Sequence, residues 1–349
     1  MTTSSPAPRA LVNAAADPAL VPPPAGDAER YHASLEGYEP TPLRRLDGVA
    51  AELGVSTVGL KDESSRLGLP AFKILGASWA AERALLARPE VGLLVAASAG
   101  NHGRAVARVA ARRGLRARVY LPGRAAAARR DAIASEGAEV VVVDGAYEDA
   151  VARARADGAR PGVLELTDVG GSATAEWVID GYATLFAEAA EQGDFDLLLV
   201  PVGVGSLAAA AARFGAAHSV RVVGVEPVTA ACLTASLAAG EPTAVETPGT
   251  TMAGLDCAEI SPAAWPSLRH GVDGVVTVDD AEAAAATAEL EQLGLEIGAS
   301  GAAPLAALRA LATDPACAAL RAAVGLGPAG RVLLVATEGR TDRGPGSRR

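Results

Sequence analysis

Lysine is nearly missing from this 349-residue chain: only Lys61 and Lys73 occur, and arginine supplies almost all of the positive charge. Aromatic residues make up 3%, so the core must be built from small aliphatic side chains, which favours an α/β fold over an all-β sandwich. The three cysteines, Cys232, Cys257 and Cys317, have neither metal-ligand spacing nor the density of a disulfide scaffold. They are expected to be buried thiols in a reducing, cytoplasmic compartment. Four histidines, none paired on a helix face, argue against a catalytic zinc site. No apolar run approaches the ~18 residues of a membrane-spanning helix, and the N-terminus lacks a basic region followed by a hydrophobic one. Acidic and basic residues interleave at a net charge of −10, which argues against nucleic acid or an anionic membrane as partner and for a small molecule.

What is present is a long alternation of short apolar runs and helical stretches. The first 30 or so residues, rich in Ala and Pro, read as an extended or mobile arm. Seven segments read as strands: Val91–Ser98, Ala117–Leu121, Glu139–Val143, Leu197–Val202, Val222–Val225, Gly274–Val278 and Val332–Ala336. Each is continuously apolar rather than alternating, as expected of strands buried on both faces in parallel sheets with helical crossovers. Three lie before residue 150 and four after residue 195, which implies two α/β units divided near residues 165–175, where Glu165 to Ser172 reads as a loop.

Four places suggest chemistry. Lys73 lies in the apolar run Ala71-Phe72-Lys73-Ile74-Leu75-Gly76. Burial there is expected to lower its pKa and make the amine a nucleophile toward a carbonyl. Taken alone, it fits a lysine snorkelling at a helix start better. Strand Leu197–Val202 runs into Gly203-Val204-Gly205-Ser206 and then a helix, an arrangement that cradles a phosphate on backbone N–H groups. It is neither a Walker loop nor a full dinucleotide fingerprint, and a plain tight turn is the alternative. Strand Val91–Ser98 ends in Ala99-Gly100-Asn101-His102-Gly103-Arg104, so Asn101 and His102 are expected at the carboxyl edge of the sheet, facing the same cleft. Thr337 and Glu338 follow the last strand at a similar edge.

An activated amine, a phosphate cradle and polar groups at strand ends together describe a pyridoxal phosphate site. The ordered segments Lys61 to Lys73, Ser98 to Arg104, Trp177 to Leu185, Gly203 to Ser206, Met252 to Leu255 and Thr337 to Gly339 resemble those of the diaminopropionate ammonia-lyases. That family lies within the tryptophan-synthase-β-like (fold type II) pyridoxal phosphate enzymes, and the resemblance runs from about residue 35 to 342. It implies two parallel-sheet domains with the cofactor in the cleft between them. The implied layout is an arm at 1–30, a large cofactor-binding domain at 31–85 and 172–349, and a small domain at 86–171. It also implies a homodimer. By the same resemblance Lys73 forms the imine with the cofactor and Phe72 lies beside the ring. Asn101 bonds the ring hydroxyl, Gly203, Val204, Gly205 and Ser206 the phosphate, and Thr337 the pyridine nitrogen.

Two departures from that pattern matter. Ala99 stands where such ammonia-lyases carry an aspartate, and Ala299 where the family tends to have glutamate. The family's second carboxylate survives as Asp168, which makes Asp168 the candidate acid or base. Cys232 and Cys257 match cysteines that lie close together in some members; free thiols are expected here. The implied activity is α,β-elimination on a small L-2-amino acid such as 2,3-diaminopropionate, giving a 2-oxo acid and ammonia. A β-replacement synthase and a serine/threonine dehydratase stay open as alternatives, as does a non-catalytic carrier of the cofactor.

Overall fold

The computed structural model describes residues 7–340, whose strands form two sheets. The larger runs in spatial order β1 (Ala10–Val12), β10 (Gly274–Val278), β9 (Arg221–Pro227), β8 (Leu197–Pro201), β11 (Arg331–Ala336), β3 (Thr57–Asp62) and β2 (Leu43–Arg45). The smaller runs β6 (Glu139–Val143), β5 (Arg116–Pro122), β4 (Leu93–Ala97) and β7 (Val163–Glu165), all parallel. Every strand of the smaller sheet falls between residues 86 and 171, and we propose that range as the small lobe.

The continuous apolar runs are sandwiched as their composition requires. Along β8, Leu198 and Val200 face one core while Leu197 and Leu199 face a second on the opposite side. Helices Ser206–His218 and Ala299–Thr313 bring alanine-rich faces to these two cores, one to each. Among the described residues no helix is long and apolar enough to cross a membrane.

The expectation of parallel strands fails at both edges of the larger sheet, where β1 and β2 pair antiparallel to β10 and β3. The arm expectation also needs correction. Residues 1–6 lie outside the described residues, but Ala10–Val12 pair along β10, and the Asn13 amide donates to the carbonyls of Val272 and Arg269 at 2.7 and 2.9 Å. The short apolar triplet meets an open sheet edge, and backbone pairing fixes it there.

β3 was not legible because it carries charge into the interior. Lys61 is fully buried, its Nζ donating to Glu188 Oε2 and the Thr41 carbonyl, both at 2.7 Å. Arg66, equally buried, bonds Glu63 Oε1 at 2.5 Å and Glu188 Oε1 at 2.6 Å. Removing one member of such a buried set costs about 3–5 kcal/mol. The network holds the segment leading to Lys73, which reverses through Leu67 (φ 51°) and Gly68 (φ 79°) between paired Arg66 and Leu69. Lys61 is thus sealed away, and Lys73 is the lysine left facing the cleft between the sheets.

Candidate active site

Lys73 is the first residue of the helix Lys73–Ala87, and the preceding Phe72 N–H donates to the Thr337 carbonyl at 3.4 Å. Its Nζ lies 2.8 Å from Asp168 Oδ2, with the side chains 23% and 16% exposed. The Phe72 and Tyr182 ring centroids are 5.3 and 5.9 Å from the same nitrogen, within cation–π range. Burial alone would lower the Lys73 pKa, as the sequence led us to expect. Burial is the largest single influence, but Asp168, Tyr182 and Cys257 together outweigh it, and the net shift is upward. For Asp168, burial pushes up, but His102 and Lys73 together hold the carboxyl well below its usual range. The pair is therefore ammonium and carboxylate. Lys73 becomes nucleophilic by giving up a proton, and Asp168 is in reach to take it.

Asn101 opens the helix Asn101–Arg112 and donates from Nδ2 to Glu338 Oε2 at 2.8 Å. Burial raises the Glu338 carboxyl, against the hydrogen bonds from Ser300 and Asn101. The next residue, His102, is buried, with Nε2 2.9 Å from the Leu166 carbonyl and Nδ1 3.8 Å from Asp168 Oδ2. A carbonyl partner requires the proton on Nε2. Thr337 is buried directly after β11.

Gly203 to Ser206 link β8 to the helix Ser206–His218. A Cβ on Gly203 would lie 2.7 Å from the Gly254 carbonyl oxygen, and Gly205 combines φ +93° with a contact of 2.6 Å to Leu268 Cδ1. Only glycine fits at either position. The turn therefore brings backbone close to the helix N-terminus, whose first N–H groups lack intrahelical acceptors. Val204 accepts from the Ser261 N–H at 2.9 Å, and the Ser206 hydroxyl donates to the Asp168 carbonyl at 2.9 Å. The glycine loop and the Asp168 loop are thus tied together. Cys232, Cys257 and Cys317 are free thiols; the Cys232 Sγ lies 3.7 Å from the Gly203 carbonyl, and burial raises Cys257 to about 12. Ala99 packs against the Val119–Ile133 cluster, so no carboxylate approaches from that position.

Pyridoxal phosphate presents a phosphate, an aldehyde, a ring hydroxyl and a ring nitrogen, and this cleft fits it. The glycine cradle that a Cβ would fill offers N–H groups to an anion, and Lys73 offers an amine. Residues 35–338 match the family model described as pyridoxal-phosphate dependent enzyme. The chain belongs to that family. The diaminopropionate ammonia-lyase of Escherichia coli (strain K12) is 31% identical over 360 aligned residues, covering 90% of this chain and 88% of the relative. Its crystal structure with an aminoacrylate–pyridoxal phosphate azomethine intermediate superposes with a TM-score of 0.87 at 30% identity, covering 97% and 95% of the two chains. The biosynthetic L-threonine dehydratase of the same bacterium is 29% identical over 283 residues, 78% of this chain and 53% of that one. The fold is accordingly fold type II, and the protein is a pyridoxal-phosphate-dependent lyase that uses elimination chemistry on an amino acid.

Two residues near this site were not picked out beforehand as site residues. Tyr182 and Tyr147 both feel the charges of Lys73 and Asp168, and the Tyr147 hydroxyl donates to the Ala97 carbonyl at 3.2 Å. With only five tyrosines in the chain, the one inside the Trp177–Leu185 segment was the available signal.

Substituting valine for Gly205 is expected to weaken pyridoxal phosphate affinity by at least about 10²-fold, since a side chain would block backbone approach to the anion. Cofactor titration followed by absorbance checks this; unchanged affinity would reduce the loop to a structural turn.

Proposed function

We propose that this enzyme catalyses α,β-elimination on a small 2-amino acid of the 2,3-diaminopropionate type, with the L-form preferred. The observation that carries this reading is the 2.8 Å contact between Lys73 Nζ and Asp168 Oδ2, with alanine at position 99. A proton leaves Cα, the β-amine departs, and one water hydrolyses the resulting enamine, so diaminopropionate yields pyruvate and two ammonia.

When bound, pyridoxal phosphate supplies the electron sink at Cα. Lys73 would hold it covalently, Phe72 would lie beside its ring, Asn101 would bond the ring hydroxyl, Gly203 to Ser206 the phosphate, and Thr337 the ring nitrogen. A neutral hydroxyl at Thr337 does not hold a proton on that nitrogen. Charge then stays nearer Cα, which favours expulsion of a β-substituent. Asp168 moves the proton between Cα and the leaving group on one face of the substrate. Asn101 is kept in register by Glu338, and His102 helps keep Asp168 ionised.

Ala99 supports a second reading. Without the carboxylate that ammonia-lyases of this type carry there, the same site suits β-replacement or serine/threonine dehydration. We extend the first reading to a cytoplasmic homodimer, supported by the likeness to the ammonia-lyases and by three free thiols that suit a reducing compartment.

The test is a panel of both enantiomers of diaminopropionate, serine and threonine, assayed for 2-oxo acid and ammonia with and without an added thiol. Fastest release from L-diaminopropionate supports the proposal. A product that keeps its amino group and gains the thiol would replace it with β-replacement.

A further inference from the structure

Beside Lys73 stands a buried hydroxyl to which the chemistry above gives no task. Tyr182 is 0% exposed, and its hydroxyl makes no well-aligned hydrogen bond among the described residues, although the Lys73 amine lies within reach of it. Leaving such a group without a well-aligned partner is unfavourable. Burial drives the phenol well above its usual range, and the opposing influence is the adjacent Lys73 amine.

The backbone is shaped to put this ring where it is. Tyr182 joins the helices Ala173–Gly181 and Ala183–Gln192. A Cβ on Gly181 would lie 2.8 Å from Gly76 Cα and 2.7 Å from the Leu75 carbonyl oxygen. One on Gly76 would lie 2.6 Å from Tyr182 Cε1 and 2.8 Å from Cζ. Gly76 sits within the Lys73 helix, where glycine is less favourable than alanine. The space it leaves is filled by the hydroxyl end of Tyr182. The ring packs on Phe72 with centroids 4.7 Å apart and planes tilted by 58°, so both rings flank the lysine amine.

We propose that Tyr182 is a positioning residue that offers Lys73 a second seat. While Asp168 is ionised, the lysine ammonium pairs with it at 2.8 Å and the nearby phenol makes no well-aligned bond. When Asp168 carries a proton, it no longer holds the amine by charge. The free, neutral amine then accepts a hydrogen bond from the Tyr182 O–H and stays poised to return to the cofactor. No proton is transferred to or from the phenol. The inference rests on the roles proposed above for Lys73 and Asp168.

Tyr182→Phe removes the hydroxyl and keeps the ring. It is expected to lower kcat about tenfold with KM within about twofold, and not to lower the melting temperature, since the lost group makes no well-aligned bond. A second readout needs no cofactor. With two lysines in the chain, ¹³Cε-lysine labelling gives two side-chain resonances, and Lys61 serves as the internal reference. In cofactor-free Asp168→Asn, adding Tyr182→Phe is expected to move the Lys73 resonance and leave Lys61 in place. Parental kcat, or an unmoved Lys73 resonance, overturns the proposal. Borohydride reduction of the parent holoenzyme separates the two levels. If Lys73 is untagged, the underlying reading fails and this one with it; if Lys73 is tagged while Tyr182→Phe behaves as the parent, only the second seat is lost.

Discussion

Lys73→Ala is expected to fold, to bind pyridoxal phosphate without a covalent bond, and to release no measurable 2-oxo acid. A positioned acid–base group alone contributes about 10²–10⁴-fold, and this variant also loses the nucleophile that holds the cofactor, so the loss should exceed that range. The fold should survive because the pair is partly exposed and the stranded Asp168 can take up a proton. Borohydride reduction and peptide mapping of the parent should tag Lys73 and spare Lys61, whose amine is shut behind Glu188 and Thr41. A tag on Lys61, or turnover by the alanine variant, would overturn the assignment. In the cofactor-free protein, where Lys73 is a free ammonium, the pair also predicts a stability profile. Asp168 is depressed and Lys73 raised, so the contribution is complete between roughly pH 4 and pH 10, the unfolded-chain values of the two groups. It fades as acid protonates the carboxylate or alkali discharges the amine, and Lys73→Ala should flatten both limbs of a denaturation-midpoint curve.

Asp168→Asn is the second large effect: about 10²–10⁴-fold slower turnover of the L-substrate with the cofactor still bound. The amide keeps the shape of the side chain but cannot move the proton. With carboxylate on one face and Ala99 on the other, the parent should favour L over D, and Ala99→Asp should introduce activity on a D-substrate. Steady-state kinetics on both enantiomers decide the matter. Equal D and L rates in the parent, or an asparagine variant as fast as the parent, would mean that Lys73 works without this carboxylate.

The strands buried on both faces were readable because their apolar character is local: β8, β9, β10 and β11 emerge from their own residues. β1, β2 and β7 are three residues long, and β3 ends in Lys61 and Asp62, so nothing local distinguishes them. Burial of Lys61 makes sense only once Glu188, 127 positions away, comes alongside. The same distance effect explains the reversed pKa direction at Lys73: its apolar neighbours were visible in the chain, but the Asp168 carboxylate, chief among the groups that oppose them, is 95 positions distant. Lys73, Asn101, Asp168, the Gly203–Ser206 loop and Thr337 were picked out from sequence, and contacts join Lys73 to Asp168, Asp168 to Ser206 and Phe72 to Thr337. Tyr182 was not, because a hydroxyl without a well-aligned partner exists only once every neighbour is in place.

The short first strand has a further consequence. β10 is buried along its whole length, and its outer edge is paired by Ala10, Leu11 and Val12, with Arg9 accepting from the Thr277 N–H and donating to the Thr277 carbonyl. Stripped of these residues, that edge would present a row of unpaired N–H and C=O groups on a flat, valine-rich strand, a template for another chain. The N-terminal strand therefore acts as a guard against edge-to-edge aggregation, and a truncation or fusion that displaces Arg9 to Asn13 would sacrifice solubility while leaving the catalytic cleft untouched.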